Sequence, residues 1–208
     1  MARNFTPRGH IERREGEDLS LFTGDRKSKF SVDVLPGEHG AKSSKLSGYG
    51  KQLRAKQKAK RMYGLLERQF RKYFKSALQK TGSTGDNLLR LLECRLDNVV
   101  WRLGLARTRK EARQLVSHKG IEILNSSGQQ VVNIPSYQVR TGDEIILREA
   151  CRAQGRVQEA IELAKQRTLP EWLSIDVDHF KGVVKRMPER DEMPMEVDDL
   201  LIIELYSK

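Results

Sequence analysis

The chain has 208 residues, 38% of them apolar, which allows one large domain or two small ones around a modest core. Its formal charge of +11 points to a polyanionic partner, either nucleic acid or an anionic membrane surface. The opening MARNFTPRGH lacks the apolar core of a signal peptide, no uncharged apolar run approaches a membrane span, and Cys94 and Cys151 are too few for a disulfide framework, so a soluble intracellular protein is expected.

Residues 1–48 mix Gly, Ser, Pro and both charge signs, with PGEHGAKSSKLSG (36–48) reading as loop, and predict an extended N-terminal arm that orders on its partner. From Gly50 to about Leu78 the pattern is helical, until TGSTGDN (81–87) breaks it. Residues 51–80 hold eleven Lys/Arg against one acid, Glu67. On a wheel of about 100° per residue, Lys51, Arg54, Lys58, Arg61, Arg68, Lys72 and Lys75 fall in one arc roughly 120° wide. The adjoining arc collects Met62, Tyr63, Leu66, Phe70 and Phe74, and Gly64 is where the run can split into two helices. A solvated face normally mixes signs at i,i+4, because like charges there repel. With no acid on this one, a polyanion is the expected partner. A membrane surface is the rival, but it would claim the aromatic arc that the core needs.

Leu88 to Leu103 reads as a further helix, with Leu88, Leu92, Leu96, Val99 and Leu103 as its stripe. Thr108-Arg109-Lys110-Glu111 has capping-box spacing, Ala112, Leu115 and Val116 give the next helix its apolar side, and Gly120 ends it. The period then changes to strand in IEIL (121–124), QQVVNI (129–134) and DEIIL (143–147). Residues 153–167 form one more helix, and WLSIDV (172–177) with VVKRM (183–187) forms a hairpin. LLIIELY (200–206) reads as a buried final strand or a segment docked on the first domain. The fold class is α+β: a helical N-terminal domain followed by two helices packed on a short antiparallel sheet. Boundaries are expected at 1–48 for the arm, 49–91 with 190–208 for the basic helical domain, 92–150 for the α+β module and 151–189 for the segment completing it.

A second basic cluster falls in that module. Arg95 and Arg102 lie seven apart with Asn98 between them, Arg109 and Arg113 lie four apart, and Arg107, Lys110 and Lys119 add charge at the helix ends. Planar guanidinium forks suit phosphate. Equally open is an internal use, Arg95 pairing with Asp97 or Glu93 and Arg109 with Glu111. Nothing catalytic stands out: TGSTGD lacks the Gly-Lys-Ser/Thr of a phosphate loop, and no G-x-G-x-x-G follows a strand. His10, His39, His118 and His179 are scattered from each other and from both cysteines, so no metal, cofactor or enzymatic activity is expected.

RLDNVVWRLGLARTRKEARQLVSHKG (95–120), continued by VVNIPSYQVRTGDEI (131–145), resembles the RNA-binding module named after small-subunit ribosomal protein four. RREGEDL (13–19), PGEHG (36–40), YGKQLRAKQKAKRMYGLLERQFRKY (49–73), LLECRLDNVV (91–100) and IIELYSK (202–208) extend the resemblance to the bacterial-type family of that protein over essentially the whole chain. Where zinc-holding members place two cysteines, this chain has Gly9 and Glu12, so the resemblance is to the zinc-free form.

The resemblance implies a structural component of the small ribosomal subunit: a primary binder of the 5′ domain of its ribosomal RNA that helps nucleate assembly. It further implies a contribution to translational accuracy through contact with ribosomal protein five, and a place near the path by which messenger RNA enters. Implied RNA contacts are Arg13, Arg14, His39, the seven stripe cations, Arg95, Arg107, Arg109, Arg113 and Lys119. Asp198, Asp199, Glu204 and Tyr206 are the implied protein interface. The acidic tail, which also holds Glu189, Asp191, Glu192 and Glu196, is expected to face protein or solvent, since phosphate would repel it. A cytoplasmic ribosomal location, no membrane and no obligate homo-oligomer complete the expectation. The turn in ILNSSGQQVV looks longer than the family's usual one, which puts RNA contacts at that tip in question.

Overall fold

The computed structural model describes residues 6–22, 34–40, 45–165, 167–194 and 197–207. It divides into two compact units, residues 1–88 with 194–208 and residues 89–193.

In the first unit the opening stretch contains a two-turn helix, α1 (Arg8–Glu15), where the sequence shows no helical period. Its hold is local: Gly16 at φ 73° closes its end by donating to the Glu12 carbonyl oxygen at 2.8 Å, and Ile11, Leu19 and Leu21 are buried. α2 (Gly48–Met62) starts at Ser47, whose Oγ accepts from the Gly50 N–H at 3.1 Å. The basic run does not stay one helix. Gly64, at φ 62°, turns the chain before α3 (Glu67–Leu78) begins. α4 is Thr84–Glu93.

The expected helix from Leu88 to Leu103 is interrupted. Arg95 is extended (φ −71°, ψ 135°) and bridges Gln138, with Leu96 N–H donating to Tyr137 O at 2.9 Å and Val139 N–H to Cys94 O at 3.0 Å. Only then does α5 (Leu96–Arg102) start. Leu92, Leu96 and Val99 are nonetheless all fully buried, on both sides of this break. Thr108 caps α6 (Arg109–Ser117) by accepting from Glu111 N–H at 3.3 Å, while Glu111 reaches one residue further back than a capping box requires, accepting from Arg107 N–H at 2.9 Å.

Five antiparallel strands follow in the order β2-β1-β3-β5-β4: β1 (Ile121–Asn125), β2 (Gly128–Val132), β3 (Glu144–Leu147), β4 (Leu173–Asp176) and β5 (Lys181–Val184). The register Asn125↔Gly128 leaves only Ser126 and Ser127 in the first turn, where Asn125 Oδ1 accepts from Ser127 N–H at 2.9 Å. The tip that reads as long is therefore tight. Between β3 and β4, the helix expected over 153–167 is α8 (Gly155–Ala164), and a one-turn α7 (Glu149–Arg152) precedes it. Leu96, Val99, Leu115, Ile121, Ile145 and Trp172 belong to one buried cluster, so α5, α6 and the sheet share a core.

The chain then returns to the first unit as α9 (Asp199–Tyr206), a helix where a strand was one of two expectations. Asp198 Oδ1 caps it through Leu201 N–H at 3.2 Å, it packs on α2, and Tyr206 stacks on Phe74 at 4.5 Å between centroids. Docking and a cap override the β propensity of Leu-Ile-Ile. Among the described residues, no helix is long and apolar enough to cross a membrane.

Candidate nucleic-acid interface

The first basic surface lies on α2 and α3, and internal acids divide its seven cations. Arg54 reaches Glu15 Oε1 at 3.2 Å, Arg61 reaches the same oxygen, and Lys58 pairs with Glu17. The absence of acids on the stripe therefore does not leave these three uncompensated: their counterions come from the chain at and after the end of α1. Glu15 has a side chain only 1% exposed, and burial pushes its carboxyl pKa up against the pull of Arg54, Arg61 and Arg14. Lys51, Arg68, Lys72 and Lys75 are exposed and form no ion pair among the described residues. These four are the part of the stripe with charge left for a partner.

Lys56 and Lys60, outside the stripe, converge on Glu67 at 2.8 and 3.1 Å, and the Tyr206 hydroxyl donates to the same carboxylate at 2.9 Å. Burial works against the charged form of Glu67, but the hydrogen bonds from Lys56, Lys60 and Tyr206 outweigh it and hold the pKa down to about 2. At the N-terminus, Arg13 donates to the Val34 and Leu35 carbonyl oxygens at 2.8 and 3.0 Å, which fixes the start of the PGEHG loop. Arg14 and His39 are exposed.

The second surface is built on buried carboxylates. Asp97 accepts the Arg95 fork, Nε at 3.1 Å to one oxygen and Nη2 at 2.8 Å to the other, and also takes Arg113 Nε and Nη2 at 2.9 and 2.7 Å. Arg95 is buried with it, its side chain 4% exposed, whereas that of Arg113 is 32% exposed. One turn along, Glu93, fully buried, takes Arg102 Nη2 at 3.0 Å and Asn98 Nδ2 at 2.7 Å. Asn98 Oδ1 in turn accepts from Arg109 Nε at 2.8 Å. Of the two uses left open by sequence, Arg95 takes the internal one with Asp97, and Arg109 is held by Asn98 rather than Glu111. Arg107 pairs with Glu111 at 3.1 Å and Glu159 at 2.6 Å, and those carboxylates raise its pKa, the hydrogen bond to Glu111 most. Lys119 is exposed at φ 60°, a left-handed conformation costly for a side chain with Cβ. The result is a rail of guanidinium groups on α5 and α6, oriented from beneath by Asp97, Glu93 and Asn98.

Residues 3–93 match the ribosomal protein S4/S9 N-terminal domain, and residues 94–145 match the S4 domain. Small ribosomal subunit protein uS4 of Ruthia magnifica subsp. Calyptogena magnifica is 56% identical over 212 residues, covering 100% of both chains. The uS4 proteins of Neisseria meningitidis serogroup B and Stutzerimonas stutzeri are 53% and 51% identical over 210 residues, again across 100% of each chain. The chain belongs to the uS4 family.

These uS4 relatives are ribosomal proteins and not enzymes. Two basic residues of this uS4-family chain escape a reading by motif. Arg102 and Arg167 approach the Trp101 ring at 5.2 and 5.3 Å from its centroid, beside Arg109 at 3.7 Å. Arg102 had a signal in its seven-residue spacing from Arg95; Arg167 had none, since the chain brings it back from beyond α8. Of the residues implied as a protein interface, Glu204 accepts from Gln52 Nε2 at 2.8 Å and Tyr206 is tied to Glu67, while Asp198 serves as the α9 cap. Asp199 lies against Gly85, so closely that a Cβ at position 85 would stand 1.7 Å from its carboxylate. Glu196, in the same acidic tail, falls outside the described residues.

Proposed function

We propose that this chain is a structural component of the small ribosomal subunit, resident on the cytoplasmic ribosome, that binds the 5′ domain of its ribosomal RNA early and helps nucleate assembly. The carrying observation is the guanidinium rail of α5 and α6. Its members are locked from below by buried acids, as a surface meeting a fixed array of phosphates requires, in a chain similar to uS4 proteins over its whole length. Lys51, Arg68, Lys72 and Lys75 supply a second set of phosphate contacts, and Arg13, Arg14 and His39 a third.

The finer roles follow the same reading. The exposed side of α9, with Leu200 68% exposed between Asp198 and Glu204, combines apolar area with acids that phosphate would repel, which suits a basic ribosomal protein such as protein five. Through that contact the chain contributes to translational accuracy, close to the path by which messenger RNA enters. Binding of the purified protein to the 5′ domain of small-subunit ribosomal RNA, compared with an equally long structured control RNA across a salt series, tests the central claim. Preference for the ribosomal RNA that persists at high salt is expected. Equal binding to both, erased together by salt, would reduce the function to generic RNA association.

A further inference from the structure

We propose that the hollow beside the edge strand β2, lined by Lys119, Val131, Asn133 and Arg148, receives one unstacked nucleotide of bound RNA, with adenine as the favoured base. The inference rests on the RNA-binding reading above and adds base recognition to it, at residues that, Lys119 apart, are not among the implied RNA contacts.

Lys119 carries the first signal. It follows the α6 C-cap His118 in a Schellman turn, where Gly120 N–H donates to Leu115 O and Lys119 N–H to Val116 O, both at 2.9 Å. Lys119 adopts φ 60° there, a conformation in which glycine is the usual residue because a Cβ is crowded. Its side chain is nevertheless present, exposed, and without an ion pair among the described residues. Nothing in the turn uses the ammonium group. A strained residue whose side chain has no internal partner points to a ligand.

The hollow beside it has a volume of about 380 Å³, more than a lone phosphate fills and within the range of about 300–1,000 Å³ typical of small-ligand sites. Arg148 is fixed at its wall, Nε donating to Glu122 Oε1 at 3.0 Å and Nη1 to the Lys119 carbonyl oxygen at 3.3 Å. Glu122 is steadied in turn by Gln129 Nε2 at 2.6 Å. Two cations against one acid leave a single positive charge, the complement of one phosphodiester. Because β2 is an edge strand, no further strand covers Val131, which is 45% exposed and offers apolar surface to a base plane. Asn133, exposed just past the end of β2, makes no side-chain hydrogen bond among the described residues. Its amide presents a donor and an acceptor side by side, the pattern that pairs with the edge of adenine. Positive charge, an apolar wall and an edge-reading amide in one hollow meet the phosphate, the face and the edge of an unstacked nucleotide.

Titration of the full chain with adenosine 5′-monophosphate, followed through the Lys119 backbone amide and the Asn133 side-chain amide in nitrogen–proton correlation spectra, tests the pocket. Both resonances are expected to shift saturably, with uridine 5′-monophosphate and inorganic phosphate each binding at least about fivefold more weakly. Asn133→Ala should erase that preference and leave phosphate affinity in place. Lys119→Gly should unfold in urea at or above the parent's midpoint, since it relieves the left-handed strain. The same variant should bind adenosine 5′-monophosphate at least about threefold more weakly and lower the logarithmic salt slope on ribosomal RNA by about one unit. Static resonances, equal affinity for the three probes, a Lys119→Gly protein that binds like the parent, or an Asn133→Ala protein that keeps the adenine preference would each overturn the pocket while leaving ribosomal RNA binding intact. Nucleotide binding in a protein with no preference for ribosomal RNA would overturn RNA as the occupant and sink the RNA reading with it.

Discussion

Asp97 accepts hydrogen bonds from two guanidinium groups, and only one of them is buried. Truncating the acid therefore does two different things. It strands Arg95 in the interior, where an uncompensated charge costs on the order of 3–5 kcal/mol, and it releases Arg113 into water at small cost. Asp97→Ala is expected to lose about that much stability in urea unfolding. Arg113→Gln is expected to lose under about 1 kcal/mol and to reduce the salt slope of RNA binding by about one unit. A similar stability loss in both variants would mean that Arg113 is as integral to the fold as Arg95. The helical period puts Arg95 and Asp97 on one continuous helix, where residues two apart do not face each other. They meet because Arg95 occupies an extended position before α5, and no Gly or Pro stands there to announce that break.

At the scale of elements, α9 shows how tertiary contacts decide an ambiguous segment. Leu-Leu-Ile-Ile is compatible with strand or helix, and what settles it lies far away in sequence: Phe74 under Tyr206, and Glu67 accepting from its hydroxyl. Apolar content left two uses open, a buried final strand or docking on the first domain, and did not decide between them. Because Glu67 falls from its ordinary value of 4.5 to about 2 in the folded protein, the unfolded chain binds the proton first between those values. The contribution is present above pH 4.5 and is lost as pH falls toward 2. Stability should rise with pH through that window. Tyr206→Phe, which removes one of the three donors, is expected to cost about 1 kcal/mol at neutral pH and to flatten the rise. Urea midpoints measured at intervals from about pH 2 to about pH 6 would check both, and an unchanged profile would place the depression of Glu67 on Lys56 and Lys60 alone.

Across the whole molecule, the distribution of charge matters more than its sum. The sequence locates the excess in residues 51–80, but its single arc of seven cations presumes one helix, and the turn at Gly64 divides them between α2 and α3. It cannot show which remain available, because Glu15 and Glu17 lie some forty residues earlier, in a stretch with no helical pattern to place them. Their pairing reorders the expected contributions to RNA binding. Arg54, Lys58 and Arg61 already have counterions, so phosphate must displace a carboxylate to reach them, and the exchange releases little bound salt. Lys51, Arg68, Lys72 and Lys75 meet phosphate directly. Arg68→Gln, Lys72→Gln and Lys75→Gln together are expected to lower the logarithmic salt slope by about two to three units, at roughly 0.7–0.9 per phosphate. Arg54→Gln, Lys58→Gln and Arg61→Gln together are expected to change it by less than about one. That second triple should lose stability instead, since it leaves Glu15 buried without a partner. If the two triples lower the slope equally, RNA pulls Glu15 and Glu17 away from α2, and the N-terminal segment is an internal competitor for the RNA site rather than a permanent part of its frame.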